Sequence, residues 1–150
     1  MPAVFPDTQG VRYDRSEVMA DTDGPLRDAG AGEGDSRVGG DFFGSVPPGG
    51  DAHALADVIH DRDDEMSRRF LANCREIPGE EGRVLLAGTV VPDRPRPTPL
   101  VSLTDLYGPA VHGGRQRTTD QFTDLLADAR SKPARIATGG DRTLVEAMRE

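Results

Sequence analysis

At 150 residues the chain has the length of one domain, but 18 glycines, 12 prolines and a hydrophobic content of 35% make any core lean. A net charge of −8 and a pI near 4.8 argue against nucleic acid or an anionic membrane surface as partner. The single Cys74 excludes an internal disulfide and a Cys-built zinc site, no apolar run nears the ~18 residues of a membrane span, and the first residues lack the basic flank and apolar core of a signal peptide, so a soluble cytoplasmic domain is expected.

In chain order, Gly10-Val11-Arg12-Tyr13-Asp14 reads as a short strand ending on an acid. Residues 16–28 are weakly helical through Val18, Met19 and Leu26, with Gly24-Pro25 as a break. Residues 30–34 form a loop, 36–39 a minimal strand, and 42–50 a turn region rich in Pro and Gly. The apolar run 52–59 predicts a buried strand. A helix is predicted over 63–77, where Met66, Phe70, Cys74 and Ile77 share a stripe and the acids of the first turn complement the helix dipole. Pro78-Gly79 stops it, and 83–91 reads as a strand buried on both faces, as in a parallel sheet.

Four prolines in 92–99 imply an exposed connection, followed by a helical pattern over 100–111 that Gly108-Pro109 interrupts. A helix over 118–130 places Phe122, Leu125 and Leu126 on one face, with Thr118 or Thr119 as its cap. Residues 134–138 and 143–148 then read as a hairpin around Gly139-Gly140-Asp141. Alternating strands and helices closed by an antiparallel pair point to a three-layer α/β sandwich.

Several groups can carry chemistry, each with a plainer alternative. Gly30-Ala31-Gly32-Glu33-Gly34 has the look of a nucleotide loop, but a polar helix precedes it where a buried strand is required, so it reads as an ordinary loop. Asp14 can accept hydrogen bonds from a ribose diol, or serve as a helix cap or surface acid. Asp41-Phe42, after Gly39-Gly40, can clamp an adenine, or form a turn with a buried ring. His60 lies in the acidic cluster Asp61-Arg62-Asp63-Asp64-Glu65, where an imidazole can take a proton from a hydroxyl while a carboxylate fixes its tautomer. The alternative is a solvated His in a helix cap; His53 and His112 have no comparable setting. A metal held by His60, Asp61, Asp63 and Asp64 is the weaker reading, because adjacent acids at a helix start serve capping.

Taken in order, these segments resemble the catalytic domain of the S-adenosylmethionine-dependent O-methyltransferases of the plant and bacterial small-molecule type, the caffeate and hydroxyneurospirene methyltransferases among them. Gly10 to Asp14 resembles the family's second strand and ribose-binding acid, and Gly39-Gly40-Asp41-Phe42-Phe43 its adenine-side motif. Val58-Ile59-His60-Asp61-Arg62-Asp63-Asp64-Glu65 resembles the signature that carries the general base. Gly82-Arg83-Val84-Leu85-Leu86 resembles the next strand, and Gly113-Gly114-Arg115-Gln116-Arg117-Thr118 with Phe122 the late motif. Arg62 replaces the signature Trp, while Gly88 and Gln116 stand where many members have Glu.

The resemblance implies a class I methyltransferase, a Rossmann-like three-layer sandwich, here lacking the first strand, its Gly-rich loop and the dimerising N-terminal domain of homodimeric members. Residues 1–150 then form a partial catalytic domain, with a gap between its outer strands and the rest. Implied with it are S-adenosylmethionine as cofactor, a small aromatic or polyketide-like hydroxyl acceptor, and no metal, nucleic acid or membrane partner. His60 is implied as general base and Asp61 as its support, with Asp14, Asp41 and Phe42 on the nucleoside. Two competing readings are a catalytically inactive remnant that at most binds or pairs, and a nicotinamide-dependent enzyme resting on residues 30–34.

Overall fold

The structure, a computed structural model, describes residues 8–20, 35–75, 82–91, 114, 116–139 and 142–150. They belong to two compact units, Met1–Pro47 and Pro48–Glu150, each with its own sheet. Among the described residues no helix is long and apolar enough to cross a membrane.

In the first unit, β1 (Gly10–Asp14) and β2 (Asp35–Gly39) pair in parallel, with Gly10 opposite Asp35 and Asp14 opposite Gly39. Parallel neighbours need a crossover connection, and its described part is the short helix α1 (Ser16–Ala20). The remainder of the expected 16–28 helix and the 30–34 loop lie outside the described residues.

The second unit holds a four-stranded mixed sheet. β3 (Ala52–Ala56) pairs in parallel with β4 (Arg83–Gly88), which runs antiparallel to β8 (Arg142–Arg149), and β8 runs antiparallel to the outer strand β7 (Ser131–Gly139). The expected terminal hairpin is therefore present, with its second strand inserted beside β4. A short parallel pair, β5 (Val90–Val91) with β6 (Arg117–Thr118), stands apart from that sheet.

Two expectations about strands are corrected. The run 52–59 is a strand only to Ala56, because Asp57 turns into the left-handed region at φ 58°. Asp and Asn tolerate that conformation better than other side-chain-bearing residues. The run 83–91 breaks at Thr89, and β4 is not buried on both faces: Val84 and Leu86 are buried, whereas Arg83, Leu85 and Ala87 are half-buried. Its antiparallel neighbour supplies the reason, since such sheets commonly cover one face well and leave the other partly open.

The covered face carries Leu55, Val84, Leu86, Val145 and Ala147. Against it lie the helices α2 (Asp64–Cys74) and α3 (Thr119–Asp128), which also touch each other. Asp63 caps α2 by accepting a hydrogen bond from the Met66 N–H at 2.8 Å. The buried stripe is Ser67, Phe70, Leu71 and Cys74; Met66 is only half-buried, and Ile77 lies outside the described residues. Thr118 caps α3 in a reciprocal box with Gln121, and Phe122, Leu125 and Leu126 turn inward. An exposed Arg68–Asp128 ion pair at 2.6 Å ties the two helices at the surface, where such pairs contribute little.

Burial pushes the Cys74 thiol up to about 12 from its ordinary 9.0. The folded chain keeps this proton where the unfolded chain has lost it, so the contribution is complete below about pH 9 and is lost as pH rises towards about 12. At pH 8, a thiol-disulfide reagent is expected to label the native chain at least about a hundredfold more slowly than the chain in denaturant. Equal rates would mean that α2 is not packed on the sheet.

Candidate functional site

Asp14 and Asp41 come together at the carboxyl ends of two neighbouring strands. Asp14 ends β1 and sits opposite Gly39, and the Gly40 N–H donates to the Asp14 carbonyl at 2.9 Å. Of the Asp14 carboxylate, Oδ1 accepts from the Arg15 N–H at 2.7 Å. Asp41 forms a tight turn in which Oδ1 accepts from the Phe43 N–H at 2.9 Å, and the Phe42 and Phe43 rings lie tilted at 4.6 Å. A side chain at Gly40 would run into the Tyr13 ring, whose hydroxyl donates to the Ser45 carbonyl at 2.8 Å. The glycine thus keeps the backbone bare where strand end and turn meet.

In the second unit, the left-handed Asp57 leads into a 3-10 turn, Ile59–Asp61. Ile59 points into the core, which leaves His60 on the open side with its side chain 28% exposed. The imidazole has a carboxylate beside each nitrogen: Asp61 Oδ1 at 3.4 Å from Nε2, and Asp57 Oδ1 at 4.0 Å from Nδ1. The other Asp57 oxygen accepts from Arg142 Nη2 at 2.7 Å. His60 and Asp57 line a pocket whose remaining wall includes Leu55, Gly88, Phe122 and Val145. A carboxylate-flanked imidazole on an apolar pocket can accept a proton from a hydroxyl, with nearby negative charge to offset the positive charge it gains.

The other residues singled out in the sequence have structural settings. His53 Nδ1 lies 3.1 Å from the Cys74 carbonyl at the end of α2. Asp63 caps α2, and Asp64 meets Arg117, so the helix-start acids are engaged in local structure. Among the described residues no group of three or more His, Cys, Asp and Glu side chains is arranged to hold a metal ion. Gly88 ends β4 with a position for Cβ in ordinary contact, 3.9 Å from Asp57 Oδ1, and Gln116 is buried. His112 lies outside the described residues.

Sequence reasoning missed Asp57 and Arg142, and it quoted Gly114 and Arg117 within the late motif without placing them behind the turn. One signal was available: an Asp in the middle of the run 52–59 is a poor strand residue and a good one for a left-handed turn. Arg142 is 85 positions from Asp57, and nothing in the sequence pairs them.

The profile described as the O-methyltransferase domain matches residues 1–130 of this chain. The chain is 33% identical over 143 residues to phenazine O-methyltransferase PhzM of Lysobacter antibioticus, covering 95% of this chain and 42% of that protein. It is 36% identical over 121 residues to phenazine-1-carboxylate N-methyltransferase of Pseudomonas aeruginosa, covering 81% of this chain and 36% of that one. Among solved structures, the S-adenosylhomocysteine-bound form of CalO1, a methyltransferase of calicheamicin biosynthesis, superposes with a TM-score of 0.84 at 31% identity, over 99% of this chain and 44% of that one. The chain spans less than half the length of the relatives it matches.

Proposed function

The chain belongs to the O-methyltransferase domain family and has the α/β fold of the class I methyltransferases, and on that premise we propose that it is the part of a catalytic domain that deprotonates a small-molecule hydroxyl and holds the nucleoside of S-adenosylmethionine. The acceptor is a small aromatic or polyketide-like molecule, and the setting is cytoplasmic secondary metabolism. The observation that carries the reading is His60 flanked by Asp57 and Asp61, on a pocket lined by Leu55 and Phe122.

The first unit suits the nucleoside of such a cofactor. Two carboxylates stand at the ends of adjacent parallel strands, each with one oxygen already committed to a backbone N–H, beside a glycine that keeps the backbone open. Asp14 would accept from the ribose hydroxyls, while Asp41 and Phe42 would meet the adenine by hydrogen bonding and ring packing. When bound, S-adenosylmethionine supplies an electrophilic methyl group.

His60 takes the hydroxyl proton as the acceptor oxygen becomes a nucleophile. Asp57, beside Nδ1, offsets the charge that the ring gains, Asp61, beside Nε2, supports the ring or the acceptor hydroxyl, and the apolar wall behind the imidazole excludes water. This demand for a base favours oxygen over nitrogen as the acceptor atom, since a phenol must lose its proton to react well and an amine already carries a lone pair.

Calorimetric titration of the chain with S-adenosylhomocysteine tests the cofactor half. Micromolar binding is expected, weakened about ten- to hundredfold by Asp41→Ala through loss of a charged acceptor. Absence of binding by a chain shown to be folded by circular dichroism would overturn the reading and favour the inactive binding or pairing module.

A further inference from the structure

Arg117 has a relative exposure of 1% and is the largest fully buried side chain among the described residues. A buried guanidinium is costly unless its donors are met, and its partners indicate what it is for. Nη1 donates to the Ile59 carbonyl at 2.7 Å and Nη2 to the Arg62 carbonyl at 2.8 Å, the two groups that bracket His60 and Asp61. Nε and Nη2 both donate to Asp64 Oδ1, at 3.1 and 2.8 Å, and Nη2 also reaches Ser67 Oγ at 3.4 Å. One planar fork therefore joins both ends of the His60 turn to the first turns of α2.

Gly114 presses on the same turn from its backbone. A Cβ there would collide with the His60 carbonyl oxygen and stand 2.5 Å from the Asp61 carbonyl carbon and 2.7 Å from the Arg62 nitrogen. Those atoms are backbone and have no flexible end to swing aside.

The turn's backbone hydrogen bonds are long, Asp61 N–H to the Val58 carbonyl at 3.3 Å and Arg62 N–H to the Ile59 carbonyl at 3.4 Å, Val58 offers no side-chain cap, and Arg62 Nη1 adds a bond to the Asp61 carbonyl at 3.0 Å. Arg117, in contrast, is anchored on its far side, because β6 pairs with β5 and Thr118 caps α3. We infer that Gly114 and Arg117 are positioning residues for His60, a clamp that fixes the turn and so the place of the imidazole between Asp57 and Asp61. A requirement of α2 alone would be met at Asp64 and Ser67; the bonds to the Ile59 and Arg62 carbonyls serve the turn.

The inference rests on His60 as the base, but its test reads the turn and not the reaction. Amide exchange and the His60 ring resonances are followed by NMR in this chain, in Arg117→Met, Arg117→Lys, Asp64→Asn and Gly114→Ala. The Asp61 and Arg62 amides are expected to exchange about ten- to hundredfold faster in Arg117→Met, with partial recovery in Arg117→Lys, while the amides of Val84, Leu86 and Val145 change far less. In Gly114→Ala the His60 ring signals should shift or broaden with the sheet amides preserved. Should Arg117→Met not fold, Asp64→Asn and Gly114→Ala decide the matter. Exchange rising by the same factor in turn and sheet, or a turn indifferent to every folded variant, would overturn the clamp. A loosened turn with no effect of His60→Ala on methyl transfer would leave the clamp standing and remove the catalytic reading.

Discussion

His60→Ala is expected to slow methyl transfer to a phenolic acceptor by about 10²–10⁴-fold, the usual contribution of a positioned general base. The residues proposed for the nucleoside, Asp14, Asp41 and Phe42, do not belong to the His60 turn, so affinity for S-adenosylhomocysteine should stay within about twofold of its original value. A loss confined to the chemical step appears in single-turnover rates and not in the binding isotherm. The acceptor's own acidity sharpens the test. A nitrophenol already ionised at neutral pH has no proton to give up, so the variant should handle it nearly as well as the parent does. A defect of equal size for both acceptors would show that His60 orients the acceptor or shapes the pocket without acting as base.

The elements legible in the sequence were those in which local and global preferences agree. Gly10–Asp14, the α2 helix capped by Asp63 and the α3 helix capped by Thr118 follow from periodicity and capping chemistry that tertiary contacts reinforce. The errors sit where one residue changes the rule of its neighbours. Asp57 breaks an otherwise uniform apolar run by going left-handed, and Thr89 divides another run so that Val90 and Val91 pair with Arg117 and Thr118 instead of extending β4. Asp57 itself marks the first event as a polar, turn-favouring residue, whereas the second depends on partners distant in sequence, for which hydropathy carries no signal. The same limit hid the role of Arg117: the late motif names the residue, and only the fold brings its fork within reach of Ile59, Arg62 and Asp64.

The residues surrounding His60 bear on its departures from the family pattern. Gly88 and Gln116 stand where the resemblance places acids, so neither carboxylate is available to the imidazole. Asp57 places one 4.0 Å from Nδ1, with its Oδ1 in the space beside Gly88. A left-handed, ion-paired aspartate at the end of a parallel strand costs some local strain, which folds retain chiefly at sites that use it.

Phe70→Ala should destabilise the chain by about 3–5 kcal/mol. The ring is 3% exposed and lies on the buried stripe of α2 that carries Ser67 and Cys74. Removing it takes away the transfer free energy of an aromatic ring and leaves a cavity that the neighbouring Leu71 and Cys74 cannot fill without moving the helix. Against the roughly 5–15 kcal/mol that holds a domain together, the loss is a large fraction of the total. Urea unfolding should show a lower midpoint at unchanged slope, and Arg69→Ala, on the exposed face of the same helix, should shift it little. Phe70→Leu should cost about 1 kcal/mol, because much of the volume remains. A change below about 1 kcal/mol for Phe70→Ala would mean that α2 is not docked, and the consequence would reach the site. Asp64 and Ser67, which receive Arg117, ride on the first turns of this helix, so a loosened α2 would release one side of the clamp behind His60.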